Sequence, residues 1–518
     1  MKLSWLKLPR YRNLINFEIR FDSKQSTTIL LGKNGTGKSN LLEALVEIFS
    51  NLELESPPTF AYELQYICRD LTIGLSADPK RSTGRLSVSV NGDPLPLGEF
   101  NRTRAKYLPN YVFAYYSGWN GRLEGHFRNG TVKYYREVLA SPDRQLPLRR
   151  LFFCRREYSQ LVLLAFFLDT SQKSRALLKK YLSIEGFDSA LFVFQRPDWG
   201  KDRSRDGDPR FWHARGAFRG FLGDLWDQAL APLRRVETIE RDVWRQGERI
   251  EHMYLFIKDQ RTLETLAGAT ERNPTQFFGY LESTFLCGLI DEVRVTVRKI
   301  DGTRVKFSQL SEGEQQLLTV LGLLLFTQND EALYLLDEPD THLNPIWTYE
   351  YLSLLHENMR ADKGQLIIAT HNPLMIGSVY KDQVRVLSTE DDAVAAREPD
   401  YDPIGIGVEG LLKSELYGLR STLPAEILAK LDRHYELLGK ERKSPEEQIE
   451  LITISNELNE LRIARTHPNP YFDQFANAMA KITPAPSTIM NKAQLDEQTV
   501  LADKLLQEII SVDGTSRT

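Results

Sequence analysis

Cysteine is scarce in this chain: Cys68, Cys154 and Cys287 are the only three in 518 residues. They stand far apart and match no metal-ligand spacing. Neither a disulfide framework nor a zinc module is expected, and a reducing compartment suits them. Long apolar runs are also missing. The longest, 317–326, includes Thr319 and falls well short of the ~20 residues that a membrane-spanning helix needs. The opening Met1-Lys2-Leu3-Ser4-Trp5-Leu6-Lys7-Leu8 has no apolar signal core, so a cytoplasmic protein without membrane contact is expected. No charge of one sign dominates. With a formal charge of −4, nucleic acid could be held only by a local basic surface. Internal repeats and sustained heptads are absent, which excludes solenoids and long coiled coils.

What is present is length enough for two to four structural units at about 150 residues each. Ile15-Asn16-Phe17-Glu18-Ile19-Arg20-Phe21 alternates, predicting a half-buried strand with Ile15, Phe17, Ile19 and Phe21 on one face. Residues 27–31 read as a buried strand, as do 111–116. Residues 71–75 and 85–90 read as strands, the second ending in the hairpin turn Asn91-Gly92. From Arg149 the pattern becomes helical. It is interrupted by a Gly-, Pro- and charge-rich loop at 196–209. Val293-Arg294-Val295-Thr296-Val297-Arg298 alternates again, and α/β character follows. Residues 424–438 and 445–461 read as a helical hairpin.

The most informative stretch is Gly32-Lys33-Asn34-Gly35-Thr36-Gly37-Lys38-Ser39-Asn40. It follows an apolar strand and opens an apolar helix. Backbone N–H groups of such a loop wrap a phosphate chain, and the helix adds its positive end. Lys38 would reach the β- and γ-phosphates, and Ser39 would hold Mg²⁺. A second apolar strand, 332–336, delivers Asp337 and Glu338. Asp337 would bind Mg²⁺ through water, and Glu338 would orient or deprotonate the attacking water. Ser311-Glu312-Gly313-Glu314 opens another apolar helix. Ser311 and Glu314 have capping-box spacing, and a capped N-terminus is also an anion site. A third apolar strand ends at His371, whose imidazole could sense the γ-phosphate.

Together these motifs resemble an ABC-type ATPase head of the RecF/SMC/OLD group. The Walker A loop at Lys38, the signature at Leu310-Ser311-Glu312-Gly313-Glu314-Gln315, the Walker B pair Asp337-Glu338, the D-loop Asp340-Thr341-His342-Leu343-Asn344 and the switch His371 stand in family order. The resemblance implies an α/β P-loop NTPase fold and Mg²⁺-dependent ATP hydrolysis. It implies ATP contacts from Asn34, Gly35, Gly37, Lys38, Ser39 and Asn40, with Ser311 and Gly313 completing the site from a second copy. Glu338 and His371 would be catalytic, and Ser39 and Asp337 would hold the metal. A metal-touching glutamine is also implied, with Gln160 as the candidate and Gln65 as runner-up. On this reading residues 1–148 and 291–400 are the two halves of the head, 149–290 are a mainly helical insert lobe, and 401–518 are a C-terminal helical segment containing the hairpin.

The chain is also similar to defence-associated ATPases such as those of Septu and retron systems and PARIS. That likeness rests on the motifs and on Gly410-Leu411-Leu412-Lys413-Ser414-Glu415-Leu416-Tyr417-Gly418-Leu419-Arg420-Ser421-Thr422. It implies a dimeric, ATP-driven switch that gates a separate nuclease or toxin in anti-phage defence. A RecF-like DNA-binding or repair ATPase is the alternative. Within the chain, effector signals are thin. Glu390-Asp391-Asp392 is acidic, and Asp400-Tyr401-Asp402 has the D-x-D spacing of a Toprim metal site but lies beside Pro399 and Pro403, not on an apolar strand end. Arg245 and His252 are seven apart, as in some RNases. Two arginine groups, Arg149/Arg150/Arg155/Arg156 and Arg203/Arg205/Arg210/Arg215/Arg219, are candidates to grip a phosphate backbone. For the second, Asp198, Asp202, Asp206 and Asp208 favour a solvated, compensated face.

Overall fold

Thr27–Gly32 lies within a seven-stranded sheet, parallel apart from one edge strand. The order is Ala393–Arg397, Val384–Glu390, Thr27–Gly32, Gly364–Ala369, Ala332–Asp337, Tyr111–Tyr116 and Leu151–Phe153. The strands at 332–337 and 364–369 are buried at every position. That is why they read as continuous apolar runs rather than alternations. The computed structural model describes residues 1–118, 121–141, 148–169, 171–197, 199, 207–239, 248–270, 273–390, 393–440, 442–460, 500 and 503–504.

A six-stranded antiparallel sheet is built from Leu14–Arg20, Lys2–Tyr11, Tyr62–Cys68, Leu71–Ala77, Leu86–Val90 and Asp93–Leu95, in that order. The turn at Asn91-Gly92 has φ of +54° and +94°, the left-handed pair that suits a two-residue hairpin. Phe17, Ile19 and Phe21 are buried as their alternation predicts, but Ile15 is exposed. Asn16, between them, sits in the left-handed region at φ +48°; the pairing with Lys2–Tyr11 keeps one register on both sides, but the extended alternation of faces is interrupted, and Ile15 leaves the buried face. The helix Lys38–Glu53 packs into one apolar core with both sheets, through Leu41, Leu42, Leu45, Ile48 and Phe49. Each such side chain contributes about 1.5–3 kcal/mol on burial, which anchors the helix start that matters below.

The segment expected to be mainly helical is not. It holds helices at Tyr158–Leu168, Gln172–Leu182, Arg219–Gln228 and Pro274–Leu286. It also supplies three strands of a five-stranded antiparallel sheet, ordered Leu230–Ile239, Glu248–Ile257, Ile184–Gln195, Ile290–Lys299 and Arg304–Lys306. Ala190-Leu191-Phe192-Val193-Phe194 is the physical reason. Its short β-branched and aromatic run satisfies a buried strand as well as a helix, and its partners lie about 60 and 100 residues downstream.

A buried ionic cluster ties this region together. The Arg149 Nε lies 2.8 Å from Glu282 Oε1, while its other nitrogens donate to Thr131 Oγ1 (2.6 Å) and to the Tyr158 hydroxyl (2.9 Å). The first arginine group is therefore engaged in ion pairs rather than offered to a phosphate backbone. Arg150 pairs with Glu53 (2.8 Å), Arg155 with Glu124 (2.9 Å) and Arg156 with Glu312 (3.1 Å).

Residues 1–375 and 382–397 form one compact unit; 376–381 and 398–518 form a second. In the second, helices Ala425–Gly439 and Pro445–Glu460 run antiparallel, joined by Lys430–Glu457 (2.6 Å), Arg433–Glu450 (2.8 Å) and Lys440–Glu447 (2.7 Å). No described helix is long and apolar enough to cross a membrane.

Candidate nucleotide site

The parallel register brings several strand ends to one edge. Asp337 stands opposite Ala369 and Tyr116, and Ala369 opposite Leu30. Ligands of open α/β sheets bind at this carboxyl edge. Directly after Thr27–Gly32 the chain turns back to start the helix Lys38–Glu53. Gly37 makes the turn at φ +96°, and a Cβ there would sit 2.7 Å from Leu14 Cδ2, so only glycine fits. The Thr36 hydroxyl donates to the Lys33 carbonyl (2.8 Å), and the Asn13 amide donates to the Gly35 carbonyl (2.8 Å). Lys38 is buried, its ammonium donating to the Gly32 carbonyl at 2.6 Å. Burial lowers its pKa, while Glu338 and Asp337 oppose that shift. The helix carries no acidic residue in its first turn, so its positive end is available to an anion.

Asp337 ends a fully buried strand beside the Ser39 side chain, which favours its charged form. Burial is the main cause that raises its pKa from 3.8 to about 6. Its Oδ1 is buried without a hydrogen-bond partner among the described residues. A carboxylate oxygen left unsatisfied beside a hydroxyl fits a hard divalent cation. Glu338 follows at φ +50°, its N–H donating to the Ala369 carbonyl (2.8 Å). Its carboxylate lies 2.7 Å from His371 Nδ1. This carboxylate is within reach of an imidazole and beside Lys38, so it can accept a proton from water.

The raised Asp337 pKa has a stability consequence. Between about pH 4 and 6 the folded state binds more protons than the unfolded state, so stability falls as pH rises through that window. The shift of roughly two units corresponds to about 3 kcal/mol. In metal-free buffer, Asp337→Asn should therefore unfold at a higher temperature than the parent at pH 8 and at nearly the same temperature at pH 4. Equal melting temperatures at pH 8 would remove the buried-charge account.

The helix Glu312–Thr327 begins with a full capping box: Glu314 N–H donates to Ser311 Oγ (3.2 Å), and Ser311 N–H donates to Glu314 Oε2 (2.7 Å). Gly313 is packed so closely under the His342 carbonyl that a Cβ would clash. Glu312 also faces His342 Nδ1 at 3.5 Å, and the Gln316 amide donates to the Pro339 carbonyl. Asp340 accepts from Thr370 Oγ1 (3.0 Å), and Asn344 caps the helix Pro345–Glu357. Among the described residues, no hydrogen bond or ion pair joins the Ser311 turn to the Lys38 loop. One chain thus carries two separate helix starts, one with Lys38 and the other with Glu312 and Glu314 in its first turn.

Comparison with known proteins agrees with this geometry. A family model described as an AAA ATPase domain matches residues 1–83. A second, an AAA domain described with the AbiEii toxin of a Type IV TA system, matches residues 189–377. Septu protein PtuA of Bacillus mycoides (strain KBAB4) is 29% identical over 164 residues, 30% of this chain and 22% of that protein. The Retron Vc95 probable ATPase of Vibrio cholerae serotype O1 biovar El Tor is 25% identical over 170 residues, 29% of this chain and 32% of that protein. These matches support an ABC-type AAA ATPase related to defence ATPases. Its matches span about a fifth to a third of the length of those two relatives. Among solved structures, the SMC head domain from Thermotoga maritima aligns over 77% of this chain and all of that one, at 15% identity and a TM-score of 0.33.

In this ATPase Asn34, Gly35, Gly37, Lys38, Ser39 and Asn40 share one loop and helix start, and Asp337, Glu338 and His371 reach the same sheet edge. Gln160 does not join them as a metal ligand: its side-chain oxygen accepts from Val295 N–H at 3.0 Å. Gln65 lies mid-strand, paired with Trp5 and Gly74. His252 lies on a strand, and Arg245 falls outside the described residues. Asp402 accepts from the Lys381 N–H (2.9 Å), the Asp400 N–H donates to Glu415 (3.2 Å), and Asp391 and Asp392 are outside the described residues. Arg210 is held by Asp208 (2.8 Å), while Arg203, Arg205, Asp198, Asp202 and Asp206 are also outside them.

Sequence reasoning missed a polar web on the outer side of the loop. Glu43 is only 2% exposed and pairs with Arg12, Arg122 (2.8 Å) and His126 (3.4 Å). A charged residue inside the apolar run 41–46 was the signal for Glu43; nothing local marks Arg122.

Proposed function

We propose that the ATPase is a dimeric, ATP-driven switch that controls a partner nuclease or toxin in anti-phage defence. The observation that carries the reading is the pair of helix starts just described. Lys38 serves the one and Ser311 the other, and they share no bond within a chain. Two copies arranged head to head would place the Ser311–Gly313 turn of each on the γ-phosphate at Lys38 of the other. ATP would then close the pair. Ser39 and Asp337 would hold Mg²⁺, which supplies Lewis-acid neutralisation of the phosphate oxygens when bound. Glu338 would orient the attacking water and take its proton, with His371 fixing the carboxylate. Hydrolysis removes the bridging γ-phosphate and reopens the pair.

The likeness to Septu and retron proteins supports a role in defence. Co-expression with the neighbouring gene product tests it. A complex whose nuclease or toxin activity changes with ATP is the expected result. If the purified ATPase alone cleaves nucleic acid in a Lys38-dependent manner, the effector lies in this chain and the regulatory reading fails. ATP-dependent DNA binding that weakens steeply with salt, without such a complex, would favour the RecF-like alternative.

The sandwich has its own test. Ser311→Arg places a bulky cation at the helix start. It should abolish ATP-dependent dimers in light scattering while leaving ATP affinity of the monomer within about threefold, because Lys38 and its loop are untouched. Dimers that persist would refute the arrangement.

A further inference from the structure

Leu230–Ile239 is an edge of the five-stranded sheet and pairs on one side, with Glu248–Ile257. Among the described residues no strand pairs with its other side. An open edge presents a row of N–H and C=O groups, a template for a further strand. Apolar side chains stand exposed along it: Leu233 is 48% exposed and Val236 56%. The ladder to Glu248–Ile257 runs without a shift from Leu233 to Ile239. Before it the register breaks between Leu230 and Leu233, where Ala231 has φ +46° and Pro232 has no N–H to donate. The regular edge is therefore 233–239, and Val236 is its midpoint.

That edge is complementary to itself. A two-fold axis perpendicular to the sheet sets the strand antiparallel to its own copy and matches each face with the same face. Opposite residues must then share a face, so the axis passes through a residue rather than between two. Through Arg235 it would set arginine against arginine, and through Glu237 glutamate against glutamate, like charges that destabilise a pair. Through Val236 it sets Arg235 against Glu237 twice, Arg234 against Thr238 twice, and Val236 against Val236. The same register uses the whole regular edge, with position 233 opposite position 239. Arg234 is already engaged in its own chain: it lies over the Trp212 ring, 3.7 Å from Glu251, and donates to the Arg210 carbonyl (2.6 Å). Arg235 is exposed, and no hydrogen bond or ion pair to a described residue engages its side chain. Glu237 is partly exposed, 3.7 Å from His252 Nδ1.

We infer that the edge 233–239 is a self-association surface, on which a second copy of this chain seats the same strand, antiparallel and centred on Val236. One sheet then continues across two copies. The contact needs no nucleotide and is separate from the ATP-closed pair proposed above, because 233–239 includes neither the Lys38 loop nor the Ser311 turn. A chain with two such two-fold faces builds assemblies larger than a dimer once ATP closes the other.

The experiment uses the full-length protein without nucleotide, so its outcome does not depend on the ATP-closed pair. Light scattering across a concentration series should show a reversible dimer. Arg235→Glu and Glu237→Arg each set like charges opposite one another and should weaken the dimer about tenfold, whereas the double swap restores opposite charges and should recover most of the loss. Thermal unfolding checks that each variant is folded. Val236→Cys should form a disulfide-linked dimer on mild oxidation, because the two copies of that position meet at the axis. Leu233→Cys should not, because in this register the two copies of position 233 lie about 20 Å apart along the strands. The three native cysteines are buried, and the parent controls for them. A parent that stays monomeric at every concentration overturns the inference. Equal cross-linking by both cysteine variants overturns it too, as does a folded double swap that dimerises no better than the single variants. If the double swap does not fold, the two cysteine variants decide.

Discussion

Glu338→Gln should lower steady-state ATP turnover by about 10²–10⁴-fold, the contribution of one positioned general base, without weakening ATP binding. The substitution keeps the size of the side chain and its place at φ +50°. It removes the negative charge that faces His371 Nδ1 at 2.7 Å. Lys38, Ser39, Asp337 and Ser311 are untouched, so every group assigned to binding remains. The expected species is therefore an ATP-filled dimer that persists. Phosphate release and size-exclusion with scattering read the two halves of this expectation. Parent-like turnover would take Glu338 out of the proton-transfer role. A dead enzyme that stays monomeric with ATP would separate hydrolysis from closure.

Lys38→Ala should act on binding instead. Hydrogen bonds to charged groups contribute about 1.5–3 kcal/mol each, and Lys38 is placed to make more than one to the β- and γ-phosphates. A loss of about 3–5 kcal/mol corresponds to an ATP affinity lower by about 10²–10³-fold. The same side chain also braces the loop through the Gly32 carbonyl, so the variant loop loses a brace as well as a ligand contact. Lys38→Met, which keeps most of the buried stem, separates the two effects. Both variants should lose ATP affinity alike, and Lys38→Met should keep more of the parent's unfolding temperature. An ATP Kd within twofold of the parent in both would dismiss Lys38 as the phosphate lysine.

Much of the site was legible because its determinants are local. The strand, turn and helix around Lys38 are contiguous in sequence, and the Ser311–Glu314 capping box spans a single turn. The Asn91-Gly92 hairpin is equally short-range. What escaped the reading depends on pairing across long separations. The five-stranded sheet brings Ile184–Gln195 against strands from about 60 and 100 residues later, and no periodicity within one segment encodes that. Gln160 was chosen for its order along the chain, but order cannot say that its side chain is taken by Val295. Arg122 looked like any charged loop residue. Only the folded position of Glu43, a carboxylate on the buried side of a helix, reveals the ion pair between them.

The contact of Gly313 with the His342 carbonyl, together with the Gln316–Pro339 bond, joins the signature turn to the segment that follows Glu338. In a two-site clamp each subunit donates its signature to one nucleotide and its catalytic glutamate to the other. A rigid link between those two parts makes the subunit a lever with a nucleotide at either end. In the proposed dimer neither site would open or fire independently of its neighbour. The consequence is kinetic: turnover would rise with ATP concentration as a sigmoid rather than a hyperbola, giving the protein a threshold in place of a graded response.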